Sequence, residues 1–141
     1  MNIDSGNELR RIKTIQFGEI EVEKEFVFIF ENGLLGFDDL REFVLISDES
    51  TVPFRWLLSL ENPNIGFPLL SPWHIDISYS PGKDFDLETE VLMAVITLED
   101  ENGDMSANLK APIVFDVKNQ LGKQVILTSD KFLTNYIIKK S

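Results

Sequence analysis

The sequence has no cysteine. That excludes disulfides, thiol nucleophiles and thiolate metal sites, and it fits a reducing compartment. Histidine occurs once, at His74, so neither a histidine-based triad nor a multi-histidine metal centre can be assembled. Positive charge is scarce: 13 Lys and Arg stand against 24 Asp and Glu, a formal net charge of −11. Phosphate backbones and anionic membrane surfaces are held mainly by Lys and Arg, so neither is expected as a direct partner. A basic protein is the better electrostatic match, although acidity of this size also serves plain solubility. Long apolar runs are missing too. The longest, about Val91 to Leu98, falls far short of the roughly 20 residues of a spanning helix. Met1 to Arg11 is polar, with nothing like a secretory leader. The expectation is a cytoplasmic protein.

What is present suits strands. In 141 residues there are 11 Phe, 2 Trp and 2 Tyr, enough aromatic volume for one core. A single domain over 1–141 is expected. Hydrophobic residues recur with period two wherever a period can be read. Ile20 and Val22 alternate with Glu19, Glu21 and Glu23, a half-buried strand with an acidic outer face. Phe26 to Phe30 is apolar throughout, which predicts a strand covered on both sides. Asn32-Gly33 favours a tight turn, and Asp38 to Glu42 reads as one helical turn capped by Asp39. Further strands are predicted at Phe43–Ile46, Phe54–Leu60, Phe67–Leu70, Val91–Leu98, Ile113–Val117 and Lys123–Leu127. Pro68 suggests an edge or a bulge, and Phe132 to Ile138 is a last apolar patch before the basic Lys139-Lys140. Short strands broken by turns every 8 to 12 residues predict an all-β fold, a small antiparallel β-barrel or sandwich with at most one or two short helical turns.

Motifs for catalysis or cofactors are thin. The acidic turn Glu99 to Asp104 fails the EF-hand spacing, because Gly103 follows Asp100 by only three residues. Gly33-Leu34-Leu35-Gly36 lacks the glycine spacing and lysine of a phosphate loop. No catalytic residue, metal or cofactor is assigned. Two feature types remain as binding candidates. One is the acidic rows, Glu19, Glu21, Glu23 and Glu25, and Asp84, Asp86, Glu88 and Glu90. Alternate carboxylates on an extended strand stand about 6.5–7 Å apart and repel, so a cationic partner would relieve them. A solvated face is the alternative. The other is apolar residues in turn-like surroundings, Leu34, Phe37 and Phe67 among them. These are either contact sites or plugs at the barrel ends.

Three segments resemble the FliW family of flagellar assembly factors. They are Phe30-Glu31-Asn32-Gly33-Leu34-Leu35-Gly36-Phe37, then Phe54-Arg55-Trp56-Leu57-Leu58-Ser59 through Asn62-Pro63 and Phe67-Pro68, and then Ser106-Ala107-Asn108-Leu109-Lys110-Ala111-Pro112-Ile113-Val114 leading to Gly122 and Gln124. The third is the most specific. Leu58 departs from the family's usual Gln, His74 to Glu90 is short, and the tail after Phe132 lacks the usual Arg-His ending. The resemblance implies a regulator that is not an enzyme. Such a protein binds the translational repressor CsrA, keeping it off its messages, and binds flagellin, which captures the factor when export stalls. On the residues themselves, Glu19, Glu21 and Glu23 are the candidates for CsrA, and Leu34, Phe37 and Phe67 for flagellin. Asn108 and Pro112 read as structural, a turn and the start of a strand. The rival functions are a small barrel enzyme holding a flavin or nucleotide, and a ligand-binding module using Trp56 or Trp73.

Overall fold

The period-two pattern is realised as ten strands in a computed structural model that describes residues 10–138. The polar residues before Arg10 and the basic pair Lys139-Lys140 lie outside the described residues. The strands are β1 (Arg10–Thr14), β2 (Gly18–Val22), β3 (Val27–Ile29), β4 (Glu42–Ser47), β5 (Arg55–Ser59), β6 (Gly66–Leu70), β7 (Glu90–Thr97), β8 (Ser106–Asp116), β9 (Leu121–Gln124) and β10 (Tyr136–Ile137). One helical turn, α1 (Pro72–Ile75), and 3-10 turns at Lys24–Phe26 and Glu49–Thr51 complete the described elements. Strands β3 to β8 pair antiparallel in sequence order, β9 pairs β8, and the ring closes where β9 meets β3 at Ile29↔Leu121. That closing contact is parallel; the other strand pairs are antiparallel. The result is the expected small all-β barrel, with seven strands in the ring and few free edges.

Three apolar clusters follow from the two faces of this wall. The interior holds Phe28, Phe30, Phe43, Leu57, Leu69, Met93, Ile113 and Phe115. Phe28, Phe30 and Phe115 meet edge to face, with ring centroids 4.9 and 6.0 Å from that of Phe115. The β1–β2 hairpin lies on the outside of β4 and β5, burying Val22 against Val44 and Leu58. This is why Phe43–Ile46 and Phe54–Leu60 look apolar on both faces: one face lines the barrel and the other lies under the hairpin. The second outer cluster packs Tyr79, Ala107, Leu109 and Leu127 beneath Trp73 and Phe132.

Several expectations change. Phe26 to Phe30 is not covered on both sides. Phe28 and Phe30 point inward, but Phe26 stands in the 3-10 turn and is 41% exposed, and Ile29 is 40% exposed. The hairpin cluster covers β4 and β5 and reaches Val27 at the start of β3, but leaves Ile29 exposed. Asp38 to Glu42 forms no helical turn. Glu42 opens β4, and the backbone N–H groups of Arg41 and Glu42 donate to the distant carboxylate of Glu61, each at 2.9 Å. That partner satisfies donors a helix start would have left to a local cap. Pro68 lies in an interior strand, yet the ladder from β6 to β7 begins only at Leu69, so no bond on that side is lost.

The largest revision is β8. Asn108 is no turn and Pro112 no strand start; both lie inside one 11-residue strand. The strand bends there and changes neighbours. Ser106 and Ala107 pair with β10, and Ile113 to Asp116 pair with β9. A register shift between Met93 and Val95 of β7 accommodates the bend. The Asn108 side chain accepts from the Ala111 N–H at 2.9 Å, replacing a ladder bond lost at the kink.

Candidate functional site

The acidic row was expected on a strand, and the hairpin shows how it is held. Glu19, Glu21 and Glu23 are all exposed. The cross-strand register places Arg11 opposite Glu21 and Lys13 opposite Glu19. The Arg11 guanidinium donates to Glu21 at 3.2 Å, with both side chains more than half exposed. The self-repulsion invoked for this row is therefore partly relieved by the chain's own β1, a surface effect of modest size. Glu23, just beyond the ladder, and Glu25 have no ion-pair partner among the described residues. The second row is a loop at Asp84, Asp86 and Glu88, ending at Glu90, the first residue of β7. Asp86 organises it by accepting from the Glu88 N–H at 3.1 Å, while Glu90 accepts from the Asp86 N–H at 2.8 Å.

The apolar candidates belong to one object, a plug. Gly33 and Gly36 take positive φ (66° and 83°), and a tight turn pairs Leu34 with Phe37. Leu34 is only 5% exposed and sits in the interior cluster, so its reading as an exposed contact is corrected: it fills the barrel end where β4 begins and β5 finishes. Phe37 and Phe67 are half-buried beneath it, stacked edge to face at 5.2 Å. Leu35 at the tip faces solvent. The Leu35 N–H donates to the Gln124 Oε1 at 2.9 Å, and the Gln124 Nε2 donates to the Ala111 carbonyl at 3.0 Å. One side chain thus fastens the plug to the kink of β8.

Sequence reasoning missed the opposite end. There β3, β5 and β7 begin and β4, β6 and β8 finish, and among the described residues no loop fills the opening. A pocket of about 440 Å³ remains, floored by Phe28, Met93 and Phe115. Its lip carries Glu25, Arg55 and His74. The available signal was Phe26, one apolar residue too many for a strand with a single buried face. Groups for chemistry are not gathered anywhere comparable. Among the described residues there is no cluster of three or more Asp, Glu or His placed to hold a metal. Two tryptophans are spent on structure. Trp56 is buried with its Nε1 donating to the Thr51 hydroxyl at 2.9 Å, and the half-buried Trp73 donates to the Tyr79 carbonyl at 2.8 Å. That weighs against the ligand-module reading. Tyr79 is itself buried, its hydroxyl donating to the Leu109 carbonyl at 2.7 Å, and loss of solvent pushes its pKa up to about 12.

Comparison with known proteins agrees with this arrangement. The FliW protein family matches residues 11–138. The chain belongs to the FliW family. A flagellar assembly factor FliW of Thermoanaerobacter pseudethanolicus is 34% identical over 142 residues, covering 91% of this chain and 92% of that protein. One of Bdellovibrio bacteriovorus is 38% identical over 125 residues, covering 82% of this chain and 71% of that protein. A crystal structure of the flagellar assembly factor FliW superimposes with a TM-score of 0.82 at 33% identity, over 94% of this chain and 99% of the other. In this FliW-family chain the distinctive segments serve architecture. Gly33 and the Leu34 turn make the plug, Asn108 to Pro112 make the kink, and Gly122 leaves room for the Phe30 ring, which a Cβ there would strike. Leu58 packs under the hairpin on Val22 and Val44. No helix among the described residues is long and apolar enough to cross a membrane.

Proposed function

We propose that this chain regulates flagellin production by exchanging partners. It binds CsrA and keeps that repressor from its messages, and it binds flagellin, so that subunits waiting for export take the chain and release CsrA. One observation carries the reading: a surplus of eleven negative charges on a barrel that displays carboxylates on an outer hairpin. A protein that binds RNA must present cations, and such a surface is attracted and steered by this one. Family membership supports the flagellar setting. Glu19, Glu21 and Glu23 form the CsrA side, with Glu23 the strongest contributor because, among the described residues, no cation pairs with it or stands opposite it on β1. On the flagellin side Leu34 is withdrawn, and the exposed Leu35 joins Phe37 and Phe67 at the plug. The chain acts in the cytoplasm, without cofactor or bond-making chemistry.

The test is a three-component titration. Purified flagellin is added to a preformed complex of the chain with CsrA, and free CsrA is followed by its recovered binding to a flagellin-message RNA. Stoichiometric release supports partner exchange. A stable ternary complex with no recovered RNA binding contradicts it.

A further inference from the structure

The two ends of the barrel are finished differently, and the unfinished end has features that define what fits it. The floor is the interior cluster itself, Phe28, Met93 and Phe115. The lip exposes three apolar side chains that no described element covers: Phe26, Val91 at 46% and Val117 at 53% exposed. The pocket does not stop there. Phe26, Leu45 and Arg55 also line a second hollow of about 250 Å³, which runs along β4 to Glu21 and Glu23 on the hairpin. The two form one groove, apolar at the mouth and acidic at its outer end.

Taken with the docking role above, on which it rests, this geometry leads to a specific occupant. We propose that the groove seats a segment of a partner protein that puts apolar side chains into the barrel mouth and a basic end against Glu21, Glu23 and Glu25. Volume and lining suit a few aliphatic or aromatic anchors, the groups that dominate buried contacts. Charge selects the rest. Three carboxylates line the groove, of which Glu21 is paired with Arg11, against one lining arginine, with His74 on the far lip. An anionic amphiphile would meet net repulsion, and a wholly apolar segment would leave the carboxylates unpaired. A basic amphipathic segment satisfies both ends, as in other helix-in-groove contacts.

The probe is a fluorescent synthetic leucine–lysine amphipathic peptide, with a leucine–glutamate peptide and dodecanoate as comparators. The variant is Val91→Asp with Val117→Asp, two half-exposed positions outside the core. The added carboxylates would strengthen a purely electrostatic contact, so a weakened one reports insertion of apolar groups. The leucine–lysine peptide should bind the unmodified chain and lose at least about tenfold in affinity to the double variant, and Glu23→Gln with Glu25→Gln should weaken it and flatten its salt dependence. Equal binding of the lysine and glutamate peptides, an unchanged affinity in the double variant, or dodecanoate binding in place of peptide would overturn the proposal. Purified CsrA and flagellin separate the two levels. If the unmodified chain binds neither, the partner-exchange reading fails. If it binds either one and the double variant binds it equally well, the groove assignment fails alone.

Discussion

The β1–β2 hairpin and the kinked strand β8 handle polar groups in opposite ways. On the hairpin, charged side chains face water, their pairing across the ladder is loose, and the apolar face beneath merely attaches the unit to the barrel. Around β8, three buried or half-buried polar side chains are tied to the backbone: Asn108 to the Ala111 N–H, Gln124 to the plug and the Ala111 carbonyl, Tyr79 to the Leu109 carbonyl. A satisfied buried polar group fixes a conformation, because its alternatives leave a donor or acceptor stranded. An exposed charge fixes little and remains free to meet another molecule. The segments that resemble the family gather in the first kind of site, and the residues proposed to meet a partner in the second.

Substitutions in the two regions should separate stability from binding. The largest loss is expected at Gly122, where a side chain must displace the Phe30 ring. Gly122→Val should cost about 3 kcal/mol in chemical denaturation; a loss under ~1 kcal/mol would mean that the ring moves freely. Asn108→Ala strands the Ala111 N–H within the kink and should cost about 2 kcal/mol by the same measurement. A neutral result would show that the bend holds without it. Tyr79→Phe should cost about 1 kcal/mol near neutral pH and also change the alkaline limb. The folded pKa, about 12, lies above the ordinary value of 10 carried by the unfolded chain, so the unfolded state loses its proton first. The contribution of Tyr79 is therefore whole below pH 10 and is lost as pH rises toward about 12, a fall the phenylalanine variant should not share. Comparing the two chains across that window cancels the lysines. The smallest effect belongs to the hairpin. Arg11→Ala should change stability by no more than about 0.5 kcal/mol, and less in high salt. A loss as large as that at Asn108 would erase the distinction between the regions.

How far this was legible in the sequence follows the same division. The barrel class, the hairpin's inside-out alternation at Ile20 and Val22 and the exposure of Glu19, Glu21 and Glu23 are local properties of period two, and they could be read directly. Most of the failures were at non-local partners. Arg41 and Glu42 look like a helix start until Glu61, far along the chain, takes their N–H groups. Asn108 and Pro112 look like a break until the pairing with β7 shows a bulge within β8, where Leu109 to Pro112 stand opposite Ala94 alone. Leu34 looks exposed because glycines flank it, although those glycines fold it back into the barrel. The open mouth left only the surplus apolar Phe26 as a trace, since it is assembled from the ends of six strands.

The account stands on exposed carboxylates of the hairpin meeting the cations of CsrA. Its most direct test is the affinity of the chain for purified CsrA over a salt series, before and after Glu19→Lys, Glu21→Lys and Glu23→Lys together. The exposed charges of the hairpin contribute little to stability, so the variant should stay folded, lose at least about tenfold in affinity at low salt, and show a flatter salt dependence. A folded variant with the original affinity and salt slope would contradict the account.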